Sequence, residues 1–411
     1  MKRLLATLSC MLLMLGALSA QETLTPKERK ALELKNKGLE FVAAGKMDKA
    51  VKLFRKAANM GNVDAQYDLG LCYYDGLGVE QDYDEASKWW RMSAEQGLVE
   101  AQNNMGLLYY HGYGVEQSFE EAVYWYSFAA DQGDALAKFN LAECYYYGLG
   151  VEEDFDMGLM LDAEAADLGL AASQCRLGEI YYDVFADYTS AVDLLSRAVE
   201  QDFVPAYTLL GICYGYGLGV EEDLDKAAEL YLYAANEGDS EAQYQLGMCY
   251  IRGEGVNQDF CEAVKWLRLA TKQDHAEAQY TLAYCYLDGV GVDENAIKAA
   301  GWFRMAADLG HAKAQFKLAA CYHGGVGVEM DETKAAMWSR KAAEQGLAEA
   351  QFAIALSYLY GSGVDADFDE AMLWLERAAE QGHELAIDTL ALLGEDALYE
   401  EYCKDMNGEE E

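Results

Sequence analysis

Small and large apolar residues alternate with polar ones in a phrase, Ala-Gln-Tyr-x-Leu-Gly-x-x-Tyr-x-x-Gly-x-Gly-Val, that returns along almost the whole chain. With its opening residue counted as position 0, the phrase starts at Ala65, Ala101, Ala137, Ser173, Ala206, Ala242, Ala278, Ala314, Ala350 and Ala386. Eight of the nine intervals are 36 residues and one is 33. A fixed period of this length predicts a solenoid in which each unit stacks only on its neighbours. Positions 0, 4, 5 and 8 fall on one side of a helix, helix A of each unit. Position 8 is Tyr in all nine units (Tyr73, Tyr109, Tyr145, Tyr181, Tyr214, Tyr250, Tyr286, Tyr322, Tyr358). Position 5 is always Gly or Ala, which permits close approach of a second helix.

The Gly-x-Gly-Val that follows (Gly76, Gly78 and Val79 in the first unit) supplies backbone tolerant of positive φ and predicts the end of helix A. An acid-rich start such as Asp82-Tyr83-Asp84-Glu85 then predicts a capping box, with Asp82 as N-cap and Glu85 three residues on. Ser118 with Glu121, Asp259 with Glu262 and Asp367 with Glu370 repeat it. Helix B follows with Ala86, Trp89 and Ala94 at helical spacing and closes at Gln96-Gly97. Trp recurs at that place as Trp125, Trp266, Trp302, Trp338 and Trp374.

These residues resemble the Sel-1-like repeat, a branch of the tetratricopeptide-like helical hairpins, and the likeness covers nine units over residues 65–385. The fold expected is all-α, a right-handed α-solenoid of stacked helical hairpins. Residues 21–64 hold one tetratricopeptide-like hairpin, with Gly38, Phe41, Gly45, Ala50, Phe54 and Ala57 at the matching places. Residues 386–411 begin a further helix A and run into Glu409-Glu410-Glu411, a C-terminal capping helix and acidic tail. One unit departs: in residues 173–205 Val184-Phe185-Ala186-Asp187 replaces the double-glycine loop and is three residues shorter, which predicts a local change of superhelical pitch.

Composition narrows the function. There are 71 Asp+Glu against 31 Lys+Arg in 411 residues, a formal charge of −40, so Coulombic repulsion excludes a nucleic-acid partner and an anionic membrane surface. With 52% apolar residues and two prolines, the chain is too rich in core-forming residues to be disordered. Met1-Lys2-Arg3, the apolar run Leu4 to Leu15 and the small-residue stretch ending at Ala20 read as a secretory signal over residues 1–20. Cleavage after Ser19 or Ala20 starts the mature chain near Gln21, secreted or periplasmic. Cys10 reads as part of the apolar run rather than a lipid-attachment site. No later segment reaches the length of a membrane span.

Past residue 20 nine cysteines remain, and Cys72, Cys144, Cys213, Cys249, Cys285 and Cys321 share position 7 of helix A. Equivalent places on stacked helices lie about 8–10 Å apart or more, whereas a disulfide tolerates a Cα separation of only about 4.4–6.8 Å. These six are expected as small buried thiols; Cys175, Cys261 and Cys403 stand elsewhere. Cysteine-rich members of the resembled family staple each repeat with two cysteines at places that here hold residues such as Ala94 and Gln102, so the penicillin-binding and hydrolytic activity proposed for those members is not carried over. His275, His311 and His383 share a turn position and converge on no metal site. Gly361-Ser362-Gly363 is a repeat loop, not a nucleophile elbow. Paired acids such as Asp154/Asp156 and Asp223/Asp225 lack the calcium loop and suit helix N-termini. No metal or cofactor is expected.

At about 100° per residue the core positions 0, 4 and 8 centre at about 40°, and positions 2, 6 and 9 fall opposite, at about 200°, 240° and 180°. Position 2 reads Tyr67, Asn103, Phe139, Cys175, Thr208, Tyr244, Tyr280, Phe316 and Phe352, and position 9 begins Tyr74, Tyr110, Tyr146 and Tyr182. Resemblance to tetratricopeptide arrays implies that both positions line the inner surface, where such proteins bind peptides or partner helices. Position 2 has a second open reading, burial against the adjacent repeat; position 9 is expected to be exposed, as an interface anchor. The candidate partner-binding residues are therefore Tyr67, Tyr74, Tyr110, Phe139, Tyr146, Tyr182, Tyr244, Tyr280, Phe316 and Phe352. The function expected is a non-catalytic scaffold that holds a protein or peptide outside the cytoplasm. The alternatives are a cell-wall or glycan hydrolase using paired carboxylates and a calcium-dependent surface protein.

Overall fold

The computed structural model describes residues 24–394; the signal expected over 1–20, Cys10, Cys403 and the acidic tail lie outside them. Among the described residues every regular element is a helix. These residues fall into two compact units divided between Gln201 and Asp202. The first unit holds α1 (Pro26–Ala43), α2 (Met47–Asn59), α3 (Val63–Asp75), α4 (Tyr83–Ala94), α5 (Val99–His111), α6 (Phe119–Asp131), α7 (Ala135–Tyr147), α8 (Phe155–Asp167), α9 (Ala171–Asp183) and α10 (Tyr188–Val199). The second holds α11 (Val204–Tyr216), α12 (Leu224–Asn236), α13 (Ser240–Arg252), α14 (Phe260–Thr271), α15 (Ala276–Asp288), α16 (Ala296–Asp308), α17 (Ala312–Gly324), α18 (Glu332–Glu344), α19 (Ala348–Tyr360) and α20 (Phe368–Glu380). A further helix starts at 384. Each unit is an all-α stack of antiparallel hairpins, helix A with its own helix B and then the next helix A.

Position 5 sets the spacing inside a hairpin. A Cβ built on Gly70 would stand 2.3 Å from Trp90 Cδ1, and one on Gly106 2.4 Å from Tyr126 Cδ1, so the large side chain of helix B lies directly on the bare backbone of helix A. Trp90 is fully buried, and its Nε1 donates to the Tyr67 carbonyl at 3.1 Å. The loop glycines divide two tasks. Gly76 closes α3 in the left-handed region at φ 70°, and Gly78 brings its backbone so near the start of the preceding helix B that a Cβ would meet the Met47 carbonyl carbon at 2.5 Å. In residues 184–187 the pair is absent and Ala186 makes the turn at φ 51°.

A buried glutamine ladder ties repeat to repeat. Gln66 Nε2 donates to the Ala58 carbonyl at 3.3 Å, and Gln96 Nε2 donates to Gln66 Oε1 at 2.7 Å. Gln132 to Gln102, Gln345 to Gln315 and Gln381 to Gln351 repeat the second bond at 2.7 Å. The capping boxes are half present. Asp82, Ser118, Asp259 and Asp367 accept from the backbone N–H three residues on, but the acids that should reach back are turned elsewhere: Glu85 takes Lys88, Glu262 takes Lys265, and Glu370 accepts from Trp374 Nε1. A cation or indole on the next turn competes better for the carboxylate than the N-cap amide does. The reciprocal box forms at Thr25 and Glu28.

The six position-7 cysteines are buried and free, as is Cys175, while Cys261 is exposed. Burial pushes the Cys72, Cys213, Cys249 and Cys285 thiols up to about 11.

Candidate interaction surface

An interior helix A is bounded by its own helix B, the preceding helix B and the helices A of the repeats before and after it. The arc left to solvent is therefore narrower than an isolated helical wheel allows. Position 8 points to the preceding helix B: Arg268 donates to Tyr286 Oη and Arg340 to Tyr358 Oη, both at 2.7 Å, and Arg55, Arg91 and Arg304 treat Tyr73, Tyr109 and Tyr322 the same way. Tyr286, Tyr322 and Tyr358 are buried as expected; Tyr73, Tyr109, Tyr145, Tyr181, Tyr214 and Tyr250 are half-buried.

The expectation that position 9 is exposed needs correction. Tyr74, Tyr110, Tyr146 and Tyr182 are half-buried. Each closes on the first residue of its own helix B (Tyr83, Phe119, Phe155 and Tyr188), with ring centroids 5.2, 5.3, 5.4 and 5.2 Å apart. Tyr74 also packs on Trp90 at 5.1 Å. Helix B begins beside the end of helix A, so its first residue covers the side that the wheel assigned to water. Desolvation raises the Tyr74 hydroxyl above its ordinary value. On helix A the tyrosines that do reach solvent stand one place on, at position 10: Tyr147, Tyr216 and Tyr360 are 70%, 61% and 78% exposed.

Position 2 sits against the next repeat. Tyr67, Phe139, Tyr244, Tyr280, Phe316 and Phe352 are half-buried. His275, His311 and His383 cap the following helix A, their Nδ1 accepting from the Ala278, Ala314 and Ala386 amides at 3.1, 2.9 and 3.2 Å. Their rings lie on Tyr244, Tyr280 and Phe352 with centroids 5.0, 4.7 and 4.9 Å away. Because Nδ1 accepts, Nε2 carries the proton and, in His275 and His311, donates to Glu241 and Glu277, each at 2.9 Å. The shared histidine turn is thus a helix cap and an aromatic cover.

Phe139, Tyr110 and Tyr146 meet around one ion pair. Asp162 is fully buried, and Arg176 clamps it with Nε to Oδ2 at 2.6 Å and Nη2 to Oδ1 at 2.7 Å. Tyr146 Oη and Ser173 Oγ complete the carboxylate at 3.0 Å each. The guanidinium lies 3.7 Å from the centroid of the Phe139 ring and donates to the Phe139 carbonyl at 2.7 Å. Tyr110 Oη reaches Glu143 Oε1 at 2.7 Å, and Arg176 stands 3.7 Å from Glu143. Sequence reasoning missed this pair, although one signal was available. Asp162 occupies the helix-B column that elsewhere reads Trp90, Tyr126, Leu195, Tyr231, Leu267, Phe303, Ser339 and Leu375, so it is the one charged residue in a column otherwise large and apolar except at Ser339.

In the second unit the position-9 column reads Gly215, Ile251, Leu287, His323 and Leu359, and the surface opens. A cavity of about 180 Å³ lies beside Gly215, with Tyr216, Tyr231, Met248 and Arg252 in its wall. A larger and mainly apolar one of about 440 Å³ lies between α17 and α19, lined by Phe316, Ala320, Ser339, Ala353, Leu356 and Tyr360 among others. His323 and Glu332 hold its edge, 3.0 Å apart, and Ser362 Oγ donates to Glu332 at 3.0 Å.

Hairpins that recur every 36 residues with one interval of 33, glycine loops stacked on the preceding helix and a glutamine ladder from repeat to repeat define an α-solenoid repeat protein of the tetratricopeptide-like kind. The chain belongs to the Sel1 repeat family, whose model matches residues 36–62, 63–98, 99–134, 135–170, 171–203, 204–239, 240–275, 276–311, 312–347 and 348–383. Among solved structures it is similar to a protective antigen of uropathogenic Escherichia coli strains with an SLR fold, at 30% identity over 89% of this chain and 88% of that one, TM-score 0.61. A Sel1 repeat protein from Oxalobacter formigenes is also 30% identical, over 83% of this chain and 89% of that one, TM-score 0.46. No curated protein matches the chain.

Proposed function

We propose that this Sel1 repeat protein is a non-catalytic scaffold, exported from the cytoplasm, that holds another protein or peptide on the helix-A face of its array. The observation that carries the reading is that each unit presents solvent-facing tyrosine at the end of helix A, Tyr147 in the first and Tyr216 and Tyr360 in the second, in repeats that also hold half-buried aromatics, Phe139 and Tyr146 in the first and Phe316 and Phe352 in the second. Amphipathic rings held on a rigid helical frame lose little entropy on contact and are common anchors of an interface. The sequence-derived candidates Tyr67, Tyr74, Tyr110, Tyr182, Tyr244 and Tyr280 serve this face as its floor, since packing within the array leaves them only half exposed. A charge of −40 favours a basic partner and fast, salt-sensitive association. The start Met1-Lys2-Arg3 with its apolar run supports export.

The test is crosslinking with a photoreactive residue at 147, 216 or 360, with the helix-B site Glu229 as control, in the native envelope fraction. The scaffold reading expects a common adduct from the three helix-A sites and none from the control. Equal adducts from all four sites would remove it. Subcellular fractionation with intact-mass measurement tests export, which fails if Met1 is retained.

The hydrolase alternative has one feature in its favour. Asp68 is half-buried with its Oδ2 lacking a hydrogen-bond partner among the described residues, and desolvation pushes the carboxyl up to about 6. Its carboxylate neighbour Asp64 is one turn earlier on α3 and pairs with Lys35 at 3.4 Å. Two acids on one face of one helix lie side by side, whereas glycoside hydrolysis needs two that flank the bond between them. The scaffold is the better reading.

A further inference from the structure

The repeat itself shows what is missing from the cavity between α17 and α19. One repeat earlier, the equivalent space is filled by the chain's own rings: Phe303 stands where Ser339 is, and Tyr284 where Ala320 is. Those two pack edge to face with centroids 5.3 Å apart, and Tyr280 joins them 5.8 Å from Phe303. At residues 316–339 only the equivalent of Tyr280, Phe316, remains; Ser339 and Ala320 leave the other two places empty. The repeat register is kept, since Ala319 and Ser339 occupy the places of Ala283 and Phe303, so the vacated volume persists as the open cavity of about 440 Å³. Its walls are chiefly apolar: Phe316, Ala319, Ala320, Ala335, Ala353 and Leu356. An open apolar wall of this kind favours an aromatic guest, because a ring takes that surface out of water and supplies the contacts it lacks.

The edge adds a sign. Among the lining residues the one obligate charge is the Glu332 carboxylate, held below its ordinary value first by the bond from His323. Tyr360, 78% exposed, stands at the mouth with its ring free to cover an entering chain.

We propose that this cavity is an anchor pocket for one aromatic side chain of a partner segment, with a lysine or arginine next to that residue pairing with Glu332. The proposal rests on the scaffold reading and names the subsite and the partner chemistry within it. The aromatic ring restores the packing that Phe303 and Tyr284 supply in the preceding repeat, and the cation answers both the local carboxylate and the field of a chain at −40.

The test uses fluorescein-labelled ten-residue peptides of glycine and serine carrying one central pair, Phe-Lys, Ala-Lys or Phe-Glu, titrated with the full chain by fluorescence anisotropy. Phe-Lys is expected to bind about tenfold more tightly than Ala-Lys and severalfold more tightly than Phe-Glu. Ser339→Phe puts into the pocket the side chain that the preceding repeat already carries; it is expected to keep or raise Tm and to abolish the preference for Phe-Lys. Ala320→Tyr, which copies Tyr284 of the preceding repeat, makes the same test if Ser339→Phe folds poorly. Equal binding of Phe-Lys and Ala-Lys, or an unchanged preference in a folded filled variant, would overturn the pocket. That failure would leave the scaffold reading standing, because the crosslinks at 147 and 216 test the reading at residues that do not line this cavity.

Discussion

In the first unit the column that opens with Tyr74 continues as Tyr110, Tyr146 and Tyr182, and each ring closes on the aromatic residue that starts its helix B. In the second unit the same column reads Gly215, Ile251, Leu287, His323 and Leu359. The residues they meet change with them: His323 faces Glu332 where Tyr74 faces Tyr83. Both units keep the glycine loops, the position-8 tyrosines and much of the glutamine ladder. What varies is the helix-A edge, which is filled by aromatics in one unit and opened into cavities beside Gly215 and Ala320 in the other. The difference teaches that a recurring aromatic in a solenoid is first of all repeat packing. A place where its column breaks is the better guide to a ligand.

Four changes would sharpen or break this contrast. The largest effect is expected at Arg176→Ala in the first unit, which leaves fully buried Asp162 with no cation and should cost about 3–5 kcal/mol in urea unfolding. Replacing Asp162 and Arg176 together with Leu and Met should recover most of that loss. A cost below about 1 kcal/mol for the single change would show that water reaches the pair. Next is Tyr74→Ala: the ring is half-buried on Trp90 and Tyr83, so about 2 kcal/mol should go, less than the roughly 3–5 kcal/mol of a fully buried aromatic.

Two further changes concern polar groups that the ladder or the helix face leaves unpaired. Gln279 is fully buried with neither amide atom hydrogen-bonded among the described residues, because Leu309 stands where Gln345 and Gln381 reach back to Gln315 and Gln351. Leu309→Gln should restore the bridge and add about 0.5–1.5 kcal/mol, seen as a rise in Tm. An unchanged Tm would mean that Gln279 is already satisfied by solvent. The last is a pH dependence at Asp68, whose carboxyl is pushed up to about 6 by burial. A raised carboxyl pKa makes the folded state hold a proton that the unfolded chain has released. The contribution of Asp68 to stability is therefore greatest below about pH 4, falls as pH rises to 6 and then stays level. Asp68→Asn should raise Tm above pH 6 and leave it unchanged near pH 4. The same shift at both pH values would contradict the assignment.

The period, the two helices per unit, the glycine loops and the buried thiols at position 7 were all legible in the sequence, because each follows from residue spacing and backbone sterics within one repeat. The solvent-facing edge was less legible. A helical wheel places Tyr74 opposite the core, but it knows nothing of Tyr83, which arrives from the next helix and covers the ring. The same blindness hid Tyr147, Tyr216 and Tyr360, whose exposure depends on sitting at the last turn of helix A, just past that cover. Asp162 and Arg176 stayed hidden because a pairing search looks for motifs, while their signal was a break in a column of large apolar residues.

The most direct test of the central claim, that filled columns hold the array together while its open edge holds the partner, compares Tyr74→Ala with Tyr360→Ala. For each variant Tm is measured by calorimetry, and affinity for the Phe-Lys peptide by anisotropy at a temperature where both variants are folded. The account predicts that Tyr74→Ala lowers Tm by several degrees and binds as the unaltered chain does. Tyr360→Ala should leave Tm within about one degree and bind at least severalfold more weakly. The opposite pattern, in which Tyr360→Ala unfolds the protein or Tyr74→Ala alone loses the peptide, would contradict it.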